Sequence, residues 1–175
     1  MELVDLYSED RIPLGKTADR HEHRARESFD EYRMVVHICI FNSKGQMLIQ
    51  QRSMNKDAFP GMWDVSAAGG VDAGETSRQG AEREVQEELG YELDLTGVRP
   101  SMTVNYDGGF DDFYLVVREL DLTKLRLQTE EVRAVRWASL EDVLALLDSG
   151  CFVSYPASFL RFLYEMRDTF GFHGK

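Results

Sequence analysis

Cysteine is scarce in this chain. Its 175 residues include two, Cys39 and Cys151, with no CxxC spacing, which excludes a disulfide framework and a cysteine-built zinc site. Basic residues are in deficit: 20 Lys and Arg stand against 31 Asp and Glu, a formal net charge of −11. A chain this acidic does not hold nucleic acid or an anionic membrane through bulk charge. An anionic ligand would need local basic side chains or metal ions, and surplus carboxylates are what hard divalent cations take as ligands. No apolar run approaches the ~18 residues of a membrane span. The first five residues carry neither the basic nor the apolar segment of a signal peptide. Repeats and low-complexity segments are also missing. What is present is an ordinary globular balance, 43% hydrophobic and 29% charged, in a length that suits one domain with a real core. The expectation is a cytoplasmic single domain over 1–175, with 1–33 as an N-terminal extension packed on it.

Strands are expected over 3–7, 12–17, 34–41, 47–51, 63–67, 93–106 (interrupted by Pro100), 113–120 and 132–137. Residues 42–45 read as a hairpin turn between two of them, and the charged stretch 18–32 as a linker or short helix. The clearest helix runs over 76–89. Thr76 and Gln79 form a capping box, Ala81, Val85 and Leu89 make an apolar stripe at i, i+4, i+8, and Gly90 ends it. Further helices are expected over 140–147 and 157–170. Mixed order with more strands than helices gives an α+β fold with a helix packed on a sheet.

On a helical wheel Glu84 and Glu88 fall at the edge of the stripe marked by Ala81, Val85 and Leu89, with Glu87 next to Arg83. Like charges at i, i+3 and i, i+4 cost a few tenths of a kcal/mol each on an open helix, and half-burying them costs more unless a cation is present. A solvated acidic helix with an Arg83–Glu87 salt bridge would also account for these charges. The full spacing argues against so plain a role. Gly69, Glu75, Arg83, Glu84, Glu87, Glu88 and Gly90 occupy seven fixed positions whose chance coincidence is on the order of 10⁻⁸ per starting position. Oxygen-only ligands point to Mg²⁺ or Mn²⁺ rather than zinc.

This segment, 69–91, resembles the Nudix box, G-x5-E-x7-R-E-U-x-E-E-x-G-U, with Tyr91 in place of the final aliphatic residue. The resemblance implies an α/β/α sandwich with a mixed sheet and a loop–helix–loop box, and hydrolysis of a nucleoside diphosphate linked to another group. It implies that Glu84, Glu87 and Glu88 bind divalent metal, often joined by the backbone carbonyl of Ala68. Arg83 would orient a neighbouring glutamate, and Glu75 and Gly69 would support the site. A carboxylate from the helix or a nearby loop would take the proton from the attacking water. Glu84 is favoured as ligand and base. A further loop acid common in the family corresponds to Glu131, although Glu130 and Glu131 could equally solvate a strand entry.

Before the box, the run from Gln50 through Arg52, Lys56, Pro60, Gly61 and Trp63 is similar to the isopentenyl diphosphate isomerase branch of the superfamily. There the matching arginine and lysine hold the substrate diphosphate, so Arg52 and Lys56 are candidate substrate-binding residues. The isomerase chemistry does not carry over. Its catalytic cysteine is absent from 67–71, and Gly70 replaces its metal-binding histidine. The leading expectation is therefore a divalent-metal-dependent pyrophosphohydrolase acting on a nucleotide or another small diphosphate. An isomerase-like enzyme and a non-catalytic nucleotide-sensing module are the alternatives, and dimerisation is compatible with the family. His21 and His23 are weak metal candidates. His37 reads as a core histidine, Cys39 as buried and inert, the aromatics between Tyr106 and Tyr114 as core, and Asp107, Asp111 and Asp112 as an acidic loop bordering the pocket.

Overall fold

A computed structural model describes residues 2–25, 30–169 and 171. Strands β1 (Leu3–Tyr7) and β2 (Pro13–Asp19) form a two-stranded antiparallel sheet, followed by the short helix α1 (Arg20–Arg24). The main sheet has seven strands among the described residues: β3 (Arg33–Phe41), β4 (Met47–Arg52), β5 (Trp63–Asp64), β6 (Ala67–Gly70), β7 (Met102–Tyr106), β8 (Gly109–Val117) and β9 (Val132–Ala138). Its centre is β3, which runs parallel to β8 along its whole length and antiparallel to β6. Strands β3 and β4 share one residue pair, Phe41 and Met47, before they splay. The buried Ser66 side chain bridges the gap, accepting from Ile40 N at 2.8 Å and donating to the Leu48 carbonyl at 2.5 Å.

Three layers follow from the period-2 alternation of strand side chains. Met34, Val36, Ile38 and Ile40 of β3 pack with Ala81, Val85 and Leu89 of helix α2 (Ser77–Leu89). Cys39 and Phe41 point the other way, into a core with Val143 of helix α3 (Leu140–Asp148) and Leu160 and Leu163 of helix α4 (Ala157–Met166). Burying a Val or Leu contributes about 1.5–3 kcal/mol, so the apolar stripe of α2 is enough to fix its rotation on the sheet. That rotation sets where its acids go.

Helix α2 starts at the expected capping box. Gln79 N donates to Thr76 Oγ1 at 3.3 Å and Thr76 N to Gln79 Oε1 at 2.9 Å. It stops at Gly90, whose φ of 64° lies in the left-handed region that glycine adopts without strain. The α/β/α sandwich with a mixed sheet is thus the fold of the protein.

Four boundaries differ from expectation. Residues 93–101 do not extend the strand: Leu93 and Leu95 are buried by packing rather than pairing, and Pro100 lacks a donor for a ladder. The hairpin closes on Asp107 and Gly108, because Tyr106 pairs with Gly109. Asp111 and Asp112 consequently lie within β8, not in a loop. The expected strand over 63–67 is split into β5 and β6 at Val65 and Ser66. The expected helix over 157–170 ends at Met166, and Phe170 lies outside the described residues, as do 26–29 of the expected linker.

Candidate active site

The core-facing stripe of α2 places Glu84 and Glu88 against β6, where they are 8% and 3% exposed, whereas the Glu87 side chain stays in solvent. Glu84 lies so close to β6 that a Cβ on Gly69 would stand 2.1 Å from its carboxyl carbon. Any side chain at this first box glycine would expel the glutamate. Glu88 Oε2 accepts from Gln50 Nε2 at 3.0 Å and from Ala68 N at 3.2 Å. An N–H and C=O of one residue in an extended strand point to the same side, so the Ala68 carbonyl also faces α2.

Arg83 organises the outer half of the site. It donates to Glu75 Oε1 and Glu84 Oε1 at 3.0 and 2.9 Å, to Glu87 Oε2 at 3.1 Å, and to the Gly70 carbonyl at 2.7 Å. Burial pulls its pKa down, but hydrogen bonds to Glu75 and charge from Glu84 more than offset this. Glu75 also accepts from Asp72 N at 3.1 Å, which ties the box loop to the helix.

Desolvation raises the Glu84 pKa despite Arg83. Burial together with the Glu84 charge pushes Glu88 up to about 8. Two buried acids with raised pKa values and a buried Gln50 Oε1 without a hydrogen-bond partner among the described residues form an oxygen-rich, electrostatically unsatisfied donor set. Its chemistry fits a hard divalent cation. Among the described residues no three acid, histidine or cysteine side chains converge as a finished cage; Glu84 and Glu87 are turned onto Arg83.

A cleft of about 670 Å³ opens beside Ala68, Gly69 and Gly70. Arg52 and Lys56 both reach it. Arg52 donates to the Ala58 carbonyl at 3.0 Å and lies 3.4 Å from Asp64, while Lys56 is ion-paired with Glu131. The structure therefore brings Lys56 and Glu131 together across 75 residues of sequence. Other cleft residues carried no expected role: Arg20, Arg24, Arg33 and Tyr155. His37 is half-buried rather than a core residue. It stacks on Phe113 at 4.5 Å, lies 3.4 Å from Asp111, and faces the cleft. Phe110, Phe113 and Tyr114 are core as expected, but Tyr106 is not. His23 is a buried anchor whose Nε2 meets the Glu31 carbonyl at 2.9 Å. Cys39 is fully buried, which raises its pKa, and Cys151 is exposed outside the cleft lining.

The NUDIX domain model matches residues 31–156. An uncharacterized Nudix hydrolase of Listeria innocua is 45% identical over 173 residues, 99% of each chain. An isopentenyl-diphosphate Delta-isomerase of Klebsiella pneumoniae is 36% identical over 152 residues, 83% of this chain and 80% of that one. A crystal structure from Deinococcus radiodurans is similar with a TM-score of 0.73 and 25% identity, covering 93% of this chain and 99% of that chain. The chain belongs to the Nudix family. It is accordingly a hydrolase of phosphorus-containing acid anhydrides, in a family that generally uses divalent metals.

With metal removed by a chelator, the raised pKa of Glu88 makes stability pH-dependent. The folded state holds the proton up to about pH 8, the unfolded state only to 4.5. Stability from this group is therefore fully present below 4.5 and declines as pH rises through 8. Melting temperature in EDTA should fall between about pH 5 and 8.5, and Glu88→Gln should flatten that slope. Added Mn²⁺ should raise the melting temperature more at the alkaline end, because it binds the deprotonated carboxylates. A profile that is flat or rises with pH would contradict the burial of a carboxylate whose charged form is disfavoured by desolvation.

Proposed function

We propose that this protein is a Mg²⁺- or Mn²⁺-dependent pyrophosphohydrolase that cleaves a phosphoanhydride in a nucleoside diphosphate derivative or another small diphosphate. The observation that carries the reading is the pair of buried glutamates, Glu84 and Glu88, held against the backbone of β6 beside a cleft with basic side chains. Glu84, Glu87, Glu88 and the Ala68 carbonyl would hold the metal, with Glu131 as a further acid at the cleft wall. When bound, a hard divalent cation supplies charge neutralisation at the phosphoryl oxygens and a more acidic water.

The chain's own residues do the rest. Arg83 fixes Glu84 through Oε1, which leaves Oε2 to accept a proton from the attacking water. Glu75 and the Gly70 carbonyl hold Arg83. Gln50 fixes Glu88. Arg52 and Lys56 bring positive charge to the diphosphate in a chain whose net charge would repel it. Residues 1–175 act as one domain in this reading.

Isomerisation needs a group that delivers a proton to carbon. Alanine stands at both 67 and 68, Cys39 is sealed in the core, and Cys151 lies outside the cleft lining. Those facts favour hydrolysis over the chemistry of the isomerase relatives. The intact box favours turnover over sensing alone.

Phosphate release from a panel of nucleotides, sugar nucleotides and short isoprenoid diphosphates, with Mg²⁺ or Mn²⁺ and a coupled phosphatase, tests this reading. Glu84→Gln and Glu88→Gln should each lower kcat by at least about 10²-fold with the fold intact. Wild-type rates from either variant would remove these residues from the mechanism. Arg52→Ala should raise KM more than it lowers kcat, since it binds phosphate in ground and transition state alike. An unchanged KM would remove Arg52 from substrate binding.

A further inference from the structure

The cleft has a second cationic end that the box does not use. Helix α1 is short, but it places Arg20 and Arg24 one turn apart on one face, and β3 begins with Arg33. These groups converge. A Cβ on Gly70 would lie 3.4 Å from Arg20 Cδ and 3.8 Å from both Arg20 Nη1 and Arg33 Nη1. The Arg33 guanidinium sits over the Tyr106 ring at 6.0 Å.

Six acids line the cleft, of which Asp57 and Asp107 form no ion pair among the described residues and the other four meet a neighbouring side chain. Asp64 lies with Arg52, Glu131 with Lys56, and Asp111 with His37. Glu2 pairs with Arg20 at 2.6 Å, but its own side chain is 53% exposed, so that pair is weak and displaceable. Among the described residues no carboxylate lies within ion-pair distance of the Arg24 or Arg33 guanidinium. Burial lowers the Arg33 pKa and Arg20 and Arg24 add to it, while Tyr106 and Asp111 counter it in part. The Tyr106 hydroxyl is buried with no hydrogen-bond partner among the described residues, and burial raises its pKa, which keeps it a donor at neutral pH. Arg24 is exposed at the rim, but the partly buried Arg20 and Arg33 and an orphaned donor in one cleft cost stability unless an anion meets them.

We propose that Arg20, Arg24 and Arg33, with the Tyr106 hydroxyl, form a second phosphoryl-binding subsite that takes a phosphoryl group of the substrate beyond the anhydride being cleaved. A tetrahedral dianion can accept from guanidinium forks approaching on several sides, whereas a planar carboxylate is saturated by one or two. The cleft is continuous from this cluster to Arg52 and Lys56, and the Arg20 charge acts on both Glu84 and Lys56. The subsite thus belongs to the same ligand as the box, and the proposal rests on the pyrophosphohydrolase reading.

The test is a binding experiment without turnover, so its outcome is separate from that of the Glu84 and Glu88 variants. The arginine Nε resonances of the full chain in EDTA are followed by NMR while inorganic phosphate is titrated, and then inorganic tripolyphosphate and tetrapolyphosphate. Phosphate should saturate the Arg24 and Arg33 signals. Its affinity should fall about tenfold in Arg33→Gln, by several-fold in Arg24→Gln, and change less than about twofold in Lys56→Gln. The polyphosphates should bind at least about tenfold tighter than phosphate, and Lys56→Gln should remove that gain. Absence of saturable shifts at these arginines, or binding that follows Lys56 alone, would overturn the subsite. A polyphosphate affinity equal to that of phosphate would assign the subsite to free phosphate and overturn its place in the substrate. Arg24→Gln, on the short outer helix, keeps the test open if Arg33→Gln fails to fold.

Discussion

Arg83 donates hydrogen bonds to Glu75 in the box loop, to Glu84 and Glu87 on its own helix, and to the Gly70 carbonyl on the sheet. It joins three pieces of backbone that would otherwise carry unbalanced negative charge towards one another. The arrangement works only because β6 offers no side chain at Gly69, which lets the Glu84 carboxylate lie on the strand. Removing one partner of such a half-buried ion cluster strands the others without compensation, which is costlier than the net worth of the cluster itself. The geometry is therefore over-determined by electrostatics on one side and by the apolar stripe of α2 on the other.

That constraint leaves Glu84 and Glu88 as buried carboxylates whose charged forms are disfavoured by the protein alone. A protein that simply needed a stable helix would not place them there. The cost becomes intelligible if the charged state is completed by a ligand, and the all-oxygen character of the donors selects a hard cation. The cleft next to it answers the complementary problem. An acidic chain attracts an anionic substrate only through local charge, and five basic side chains supply it: Arg20 and Arg24 of α1, Arg33 of β3, and Arg52 and Lys56 at and after the end of β4.

The box was legible because its residues are close in sequence and its helix is amphipathic: the 3.6-residue period alone places Glu84 and Glu88 inward and Glu87 outward. The capping box and the terminal glycine were legible for the same local reason. What could not be read was long-range. Nothing near Lys56 announces Glu131, which meets it through the β4–β9 pairing. His37 looked like a core residue because its neighbours are apolar, and only the pairing of β3 with β8 brings Asp111 beside it. Arg20 and Arg24 sat in a stretch whose charge gave no direction. They gain one when β1 and β2 fold back and lay α1 over the cleft. The Asp107–Gly108 turn was readable in principle, since Asp-Gly between strand residues is a hairpin signal, but the run of acids around it obscured the register.

The central claim is that the buried carboxylates of α2 and the Ala68 carbonyl together hold a divalent metal. A crystal soaked in Mn²⁺ and measured at an anomalous wavelength tests it most directly. The account predicts a strong anomalous peak between Glu84, Glu88 and the Ala68 carbonyl. No peak at the box, or a peak confined to the acids of the cleft wall such as Asp107 and Asp111, would contradict it.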